Sequence, residues 1–106
     1  MPFSENLDMA LSLATQAKQI APDMTAVSDT LAWIQYKKGN YRVSVSLAED
    51  AVKKEPQKAD YRYHLGMALR GAGERDRAKT ELQKALQLNL KGTDAQEAQK
   101  TLASLQ

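Results

Sequence analysis

The residues that could do chemistry are few and do not assemble into a reacting centre. His64 is the only histidine, lodged between Tyr63 and Leu65, and the chain has no cysteine. That removes thiolate metal sites, cysteine nucleophiles and disulfides together. No HExxH, no glycine-rich phosphate loop and no nucleophilic serine motif is present. Glu49, Asp50 and Glu55 read as a solvated helix face, and His64 as a structural or solvent-facing residue of an outer helix side. Lys53, Lys54, Arg75, Arg77 and Lys79 alternate with acids, and the net charge is only +2. A nucleic-acid track needs a denser basic stripe than that. The expectation is a chain without enzymatic activity, metal or cofactor, and without a nucleic-acid partner.

A different chemistry is legible in two spaced sets. Asp29, Trp33, Tyr36 and Lys37 recur at helical steps, as do Tyr63, Met67 and Arg70, and a shift of 34 residues lays the second set on the first. Residues three and four apart share one helix face. Aromatics, methionine and arginine are the types enriched where proteins bind one another. These seven residues are the candidate contact set for a peptide or a partner protein.

The elements that must carry them repeat with the same period. Leu31 maps onto Leu65, Gly39 onto Gly73, Ala51 onto both Ala17 and Ala85, and Pro56 onto Pro22. Self-similarity at this period marks a stacked helix-pair solenoid. The composition agrees, at 42% hydrophobic and 26% charged with few glycines and prolines, which favours a folded helical chain over a disordered one. Six helical segments follow from the apolar spacing: 5–21, 23–38, 41–54, 58–72, 74–90 and 94–105. Gly39 and Gly73 end helices, Asn40 is placed to cap the third, and Thr93 with Gln96 fits a capping box for the last. The stretch YRVSVSL from Tyr41 alternates like a strand, but the equivalent stretches one repeat away are helical, so the register makes it helix. The predicted fold is all-α: a right-handed superhelical solenoid of antiparallel helix pairs in a single domain. It comprises a half repeat (5–22), two repeats (23–56 and 57–90) and a capping helix (93–105).

These residues resemble the tetratricopeptide repeat family, whose pattern is W-x2-L-G-x2-Y, then A-x3-F, a small alanine and a proline. Leu65-Gly66, Ala78-x3-Leu82 and Ala85 carry it in the later repeat, and Leu31-Ala32, Ala51 and Pro56 in the central one. Ala10-x3-Ala14, Ala17 and Pro22 supply half a repeat ahead of them. Ser28 and Arg62 replace the tryptophan, Gln35 and Leu69 the tyrosine. DTLAWIQYKKGNY is also similar to the last repeats of large bacterial envelope members, exosortase-associated lipoproteins among them. The resemblance covers about residues 5–90. It implies a protein-interaction module whose concave groove is lined by the first helix of each pair, where the seven candidate residues would lie. Asp29 and Trp33 stand where the chaperone-tail-binding members carry Lys and Asn, which disfavours that role.

The first helix poses a separate question. Leu7, Ala10, Ala14 and Ala17 serve one neighbour, while Met9, Leu13 and Ile20 point to a flank without one. Exposed apolar patches usually mark interfaces. The expectation is that this chain is part of a longer repeat scaffold, or self-associates as a dimer through residues 5–21. No apolar run approaches the ~20 residues of a membrane-spanning helix, and the opening MPFSENLDMA has neither the basic nor the apolar region of a signal peptide. No compartment is assigned.

Overall fold

The computed structural model describes the backbone of residues 3–105 and the side-chain environments of residues 6–105. It is all-α, with six helices: α1 (Phe3–Ile20), α2 (Thr25–Lys37), α3 (Tyr41–Lys54), α4 (Ala59–Gly71), α5 (Arg75–Gln87) and α6 (Gly92–Leu105). The stretch from Tyr41 is helical, as its register requires. Its β-branched residues pack as the equivalent positions of the other repeats do, and that tertiary demand outweighs local strand propensity.

The turns inside each pair follow from backbone geometry. Gly39 and Gly73 take φ of 85° and 86°, a conformation that costs glycine little and other residues more. Each places the next N–H back onto the helix: Asn40 N–H donates to the Gln35 carbonyl, and Glu74 N–H to that of Leu69. This six-to-one closure turns the chain sharply and makes the two helices antiparallel. A third helix closes the same way without glycine. Asn89 takes φ 69°, and Leu90 N–H donates to the Ala85 carbonyl. The fifth helix therefore stops at Gln87 rather than running on to Leu90.

Two expected caps are absent. Asn40 occupies the N-cap position of α3, but its side chain donates to Gln35 Oε1 at 2.7 Å and makes no cap bond. Thr93 lies inside α6, which begins at Gly92, and among the described residues neither Thr93 nor Gln96 bonds the helix start through its side chain. The second helix begins at Thr25, two residues later than its apolar spacing suggests.

Packing repeats with the sequence. Within the pairs, α2 lies against α3 and α4 against α5. In addition α2 touches α4, and α4 touches α6, so each first helix also rests on the next one. Small residues set the approach: Ala48, Ala51, Ala78 and Ala85 are fully buried. Ser44 fills its equivalent place and donates its hydroxyl to the Ala32 carbonyl at 2.6 Å, leaving no unpaired buried oxygen. Arg62, at the family's tryptophan place, bonds Glu81 of α5 at 2.9 Å and the Pro56 carbonyl. Within the α4–α5 pair the approach is close at Gly66, where a Cβ would lie 2.7 Å from Leu82 Cγ and Cδ2 and 3.3 Å from the Leu82 nitrogen.

Gly66→Ala should therefore destabilise the fold by about 1–3 kcal/mol through overpacking, although alanine is ordinarily the better helix former by roughly 0.5–1 kcal/mol. Thermal or urea unfolding monitored by circular dichroism measures this, and a variant as stable as the parent would show that Leu82 gives way freely.

Candidate protein-interaction site

The face shared by α2, α4 and α6 carries the candidate residues, but it does not expose all of them. Lys37 and Arg70 are exposed, and Trp33 and Tyr36 are half-buried. Asp29, Tyr63 and Met67 are buried, at 7%, 3% and 3% exposure, so they are not contact residues of an open groove. For Tyr63 and Met67 the cause is the last helix. α6 lies along α4 and brings Asp94 and Glu97 near the Tyr63 hydroxyl. The middle first-helix is thus flanked on both sides, and Met67 joins the core.

Asp29 is covered by a residue outside the candidate set. His64 Nδ1 lies 2.7 Å from Asp29 Oδ1, the imidazole N–H donating to the carboxylate, with both side chains largely enclosed. The His64 ring also stacks on Trp33, with centroids 4.3 Å apart and planes at 28°. His64 is therefore not on an outer side: it is the bridge between adjacent first helices. Asp29 and His64 are one period plus one residue apart, a spacing that places them on facing sides of neighbouring first helices.

From that bridge an aromatic row extends outward. Trp33 stacks on Tyr36, with centroids 4.8 Å apart and planes 11° from parallel, and leans on Tyr63 at 5.6 Å. Tyr36 in turn meets Tyr41 of α3 at 5.7 Å. Offset aromatic contacts of this kind add stabilisation beyond the area they bury. The cations lie over this row. Lys37 Nζ is 5.7 Å from the Trp33 ring centre, and Arg70 donates to the Tyr36 hydroxyl at 3.3 Å. Neither cation forms a salt bridge with a carboxylate among the described residues. The result is a rigid, half-exposed aromatic platform edged by two uncompensated positive charges.

Other sequence candidates sit elsewhere. Met9, Leu13 and Ile20 of α1 are 68%, 61% and 84% exposed, on a helix outside the α2, α4 and α6 face. Among the described residues no group of three potential metal ligands comes together, and no helix is long and apolar enough to cross a membrane.

Solved structures share this arrangement of helices. Two structures of MamA, one of them from Desulfovibrio magneticus RS-1, superpose with TM-scores of 0.83 at 19% identity, covering 94–95% of the chain. The Sgt2 TPR domain of Aspergillus fumigatus superposes with a TM-score of 0.82 at 21% identity, covering 95% of the chain and 68% of that domain. An O-GlcNAc transferase mutant of Thermobaculum terrenum gives 0.74 at 28% identity, covering 96% of the chain but 22% of the transferase. The chain spans 55% of the MamA structures it matches. No protein-family model matches the sequence, and no curated protein does.

Burial, with Asp94 and Glu97 nearby, pushes the Tyr63 phenol up to about 12, Arg70 opposing. The folded state thus holds this proton more tightly than the unfolded chain, whose tyrosine titrates near 10. The associated stability is complete below pH 10 and is lost as pH rises through 12. The urea midpoint should fall across that interval, and Tyr63→Phe should flatten part of the fall. A Tyr63 phenolate signal appearing near pH 10 in the folded protein would contradict this burial.

Proposed function

For a chain with the tetratricopeptide repeat fold, we propose a non-catalytic protein-interaction module that binds a peptide or partner protein on its concave face. The observation that carries this reading is the aromatic platform. Trp33 and Tyr36 are held in place by His64, Tyr63 and Tyr41, yet remain half-exposed. Rigid aromatic surface loses little entropy on binding, which is why such residues anchor interfaces. Lys37 and Arg70 add charge that no carboxylate pairs with among the described residues. The ligand is an extended or helical peptide that lays an apolar side chain on Trp33 and Tyr36 and brings a carboxylate to the two cations. Asp29, Tyr63 and Met67 act beneath the surface, fixing the platform rather than touching the ligand.

A second reading is favoured by the exposed line of Met9, Leu13 and Ile20 on α1. It makes the chain an assembly segment that packs a further element at that end, a second copy being one occupant. The two readings use different surfaces.

Trp33 is the only tryptophan, so its emission reports on the platform directly. Peptides selected against the protein from a display library should shift Trp33 emission on binding. Lys37→Glu with Arg70→Glu should weaken that binding at least tenfold while leaving the circular dichroism spectrum unchanged, since both side chains are exposed. Binding that survives the double substitution without a Trp33 response would reject the concave face.

A further inference from the structure

Charge on the concave face is graded along the helix axes. Asp29 meets His64 and Tyr36 meets Arg70, so α2 and α4 run parallel. α6 runs with them: Asp94 and Glu97 lie near Tyr63, and Arg75, past the end of α4, donates to the Leu105 carbonyl. The 34-residue period therefore sets Asp60 level with Asp94, Tyr63 with Glu97, and Tyr36 with Arg70. Toward the N-terminal ends stand Asp60, Asp94 and Glu97, and at the C-terminal ends Lys37 and Arg70. Asp94 is half-buried and the other four are exposed. None of the five forms a salt bridge among the described residues. A helix end carries about half a unit of the opposite charge, too little to cancel a side chain, so both signs persist. Between them lies the plate of Trp33 and Tyr36.

This gradient belongs to the interior of the stack. Asp60 and Arg70 stay exposed although α4 already has α2 on one side and α6 on the other. Trp33 leans onto Tyr63 and His64 of α4. α2 meets α4 through His64, whose equivalent on α2 is Thr30. A further first helix ahead of α2 would therefore meet Thr30, with Trp33 turned the other way toward α4. Lengthening the stack adds neighbours beside the face without laying chain across it.

We infer that the face takes a short extended segment of a partner protein that carries both charges. An acidic residue meets Lys37 and Arg70, one apolar side chain rests on Trp33 and Tyr36, and a basic residue meets Asp60, Asp94 and Glu97. This rests on the interaction role proposed above and narrows its ligand. Asp60 and Arg70 are ten residues apart on one helix, about 15 Å at roughly 1.5 Å per residue. An extended chain, rising about 3.3 Å per residue, covers that distance in about four or five residues. A helical ligand would need a row of anchor sites one turn apart, and the burial of Tyr63 and Met67 leaves a single plate. The margins also exclude. A segment acidic throughout meets like charge at Asp60 and Glu97, and one basic throughout meets it at Lys37 and Arg70. What the face reads is the separation of the two signs, not the net charge.

The probe is a set of short linear peptides selected from a display library on the full chain, then synthesised with an N-terminal fluorescein. Their sequences should carry an acid and a base on opposite sides of one apolar residue, and anisotropy should show saturable binding. Asp60→Lys with Glu97→Lys, both at exposed positions, should weaken that binding at least tenfold with an unchanged circular dichroism spectrum. Replacing the peptide's basic residue by glutamate should restore binding to this variant while weakening binding to the parent. Asp60→Asn with Glu97→Gln, which introduces no new charge, should give a smaller loss in the same direction. Peptides that shift Trp33 emission and depend on Lys37 and Arg70, yet lack a base or ignore the substitutions at Asp60 and Glu97, overturn this inference and leave the interaction module standing. Binding without a Trp33 response, or no saturable binding, rejects both.

Discussion

The close approach of paired helices is the constraint on which the rest depends. Two antiparallel helices come near enough to bury a continuous contact only where one side is small. Here Ala48, Ala51, Ala78, Ala85 and Gly66 provide that side, and Leu82 fills the space opposite Gly66. This distance fixes where each pair leaves the chain for the next, and so the rotation from one first helix to its neighbour. The Asp29–His64 bond and the Trp33–His64 stack bridge that neighbouring distance. A wider pair spacing would separate them, and the platform would lose its floor. The turn glycines act with this constraint: a loop that turns back sharply brings the small faces together without strain.

The concave face is shaped by competition between packing and exposure. In an open groove Trp33 and Met67 would be equivalent, one per repeat. The capping helix breaks that equivalence by covering α4 of the later repeat and leaving α2 of the central one uncovered. The chain thus converts an extended groove into a compact aromatic site at one end of the face. Its acidic side, with Asp94 and Glu97, lies on α6, and its basic side, with Lys37 and Arg70, at the far ends of α2 and α4. The site is polar at both margins and aromatic between them.

Much of this was legible in the sequence because the repeat supplies several views of each position. The helices, their order and the pair turns at Gly39 and Gly73 follow from period and residue type, and even the strand-like stretch from Tyr41 is resolved by its equivalents. What escaped is what the repeat does not encode. Asn89 closes a helix in a conformation for which glycine is the usual signal. Asn40 stands at a cap position yet spends its amide on Gln35, since a side chain near two partners takes the better geometry. The burial of Tyr63 and Met67 depends on how far α6 leans over α4, a tertiary quantity with no periodic signature. His64 looked isolated because its partner lies in the neighbouring repeat, where single-helix spacing does not reach.

Among the described residues every helix contact runs to a near neighbour in the stack, and α1 has one such neighbour, α2. A chain of this kind opens from its least supported end rather than all at once. The backbone amides of α1 are thus the first to trade hydrogen with solvent, and those of α4, enclosed by α2, α3, α5 and α6, the last. Order along the chain is graded: the aromatic site rests on the slowly opening interior, and α1 is the segment that opens most often.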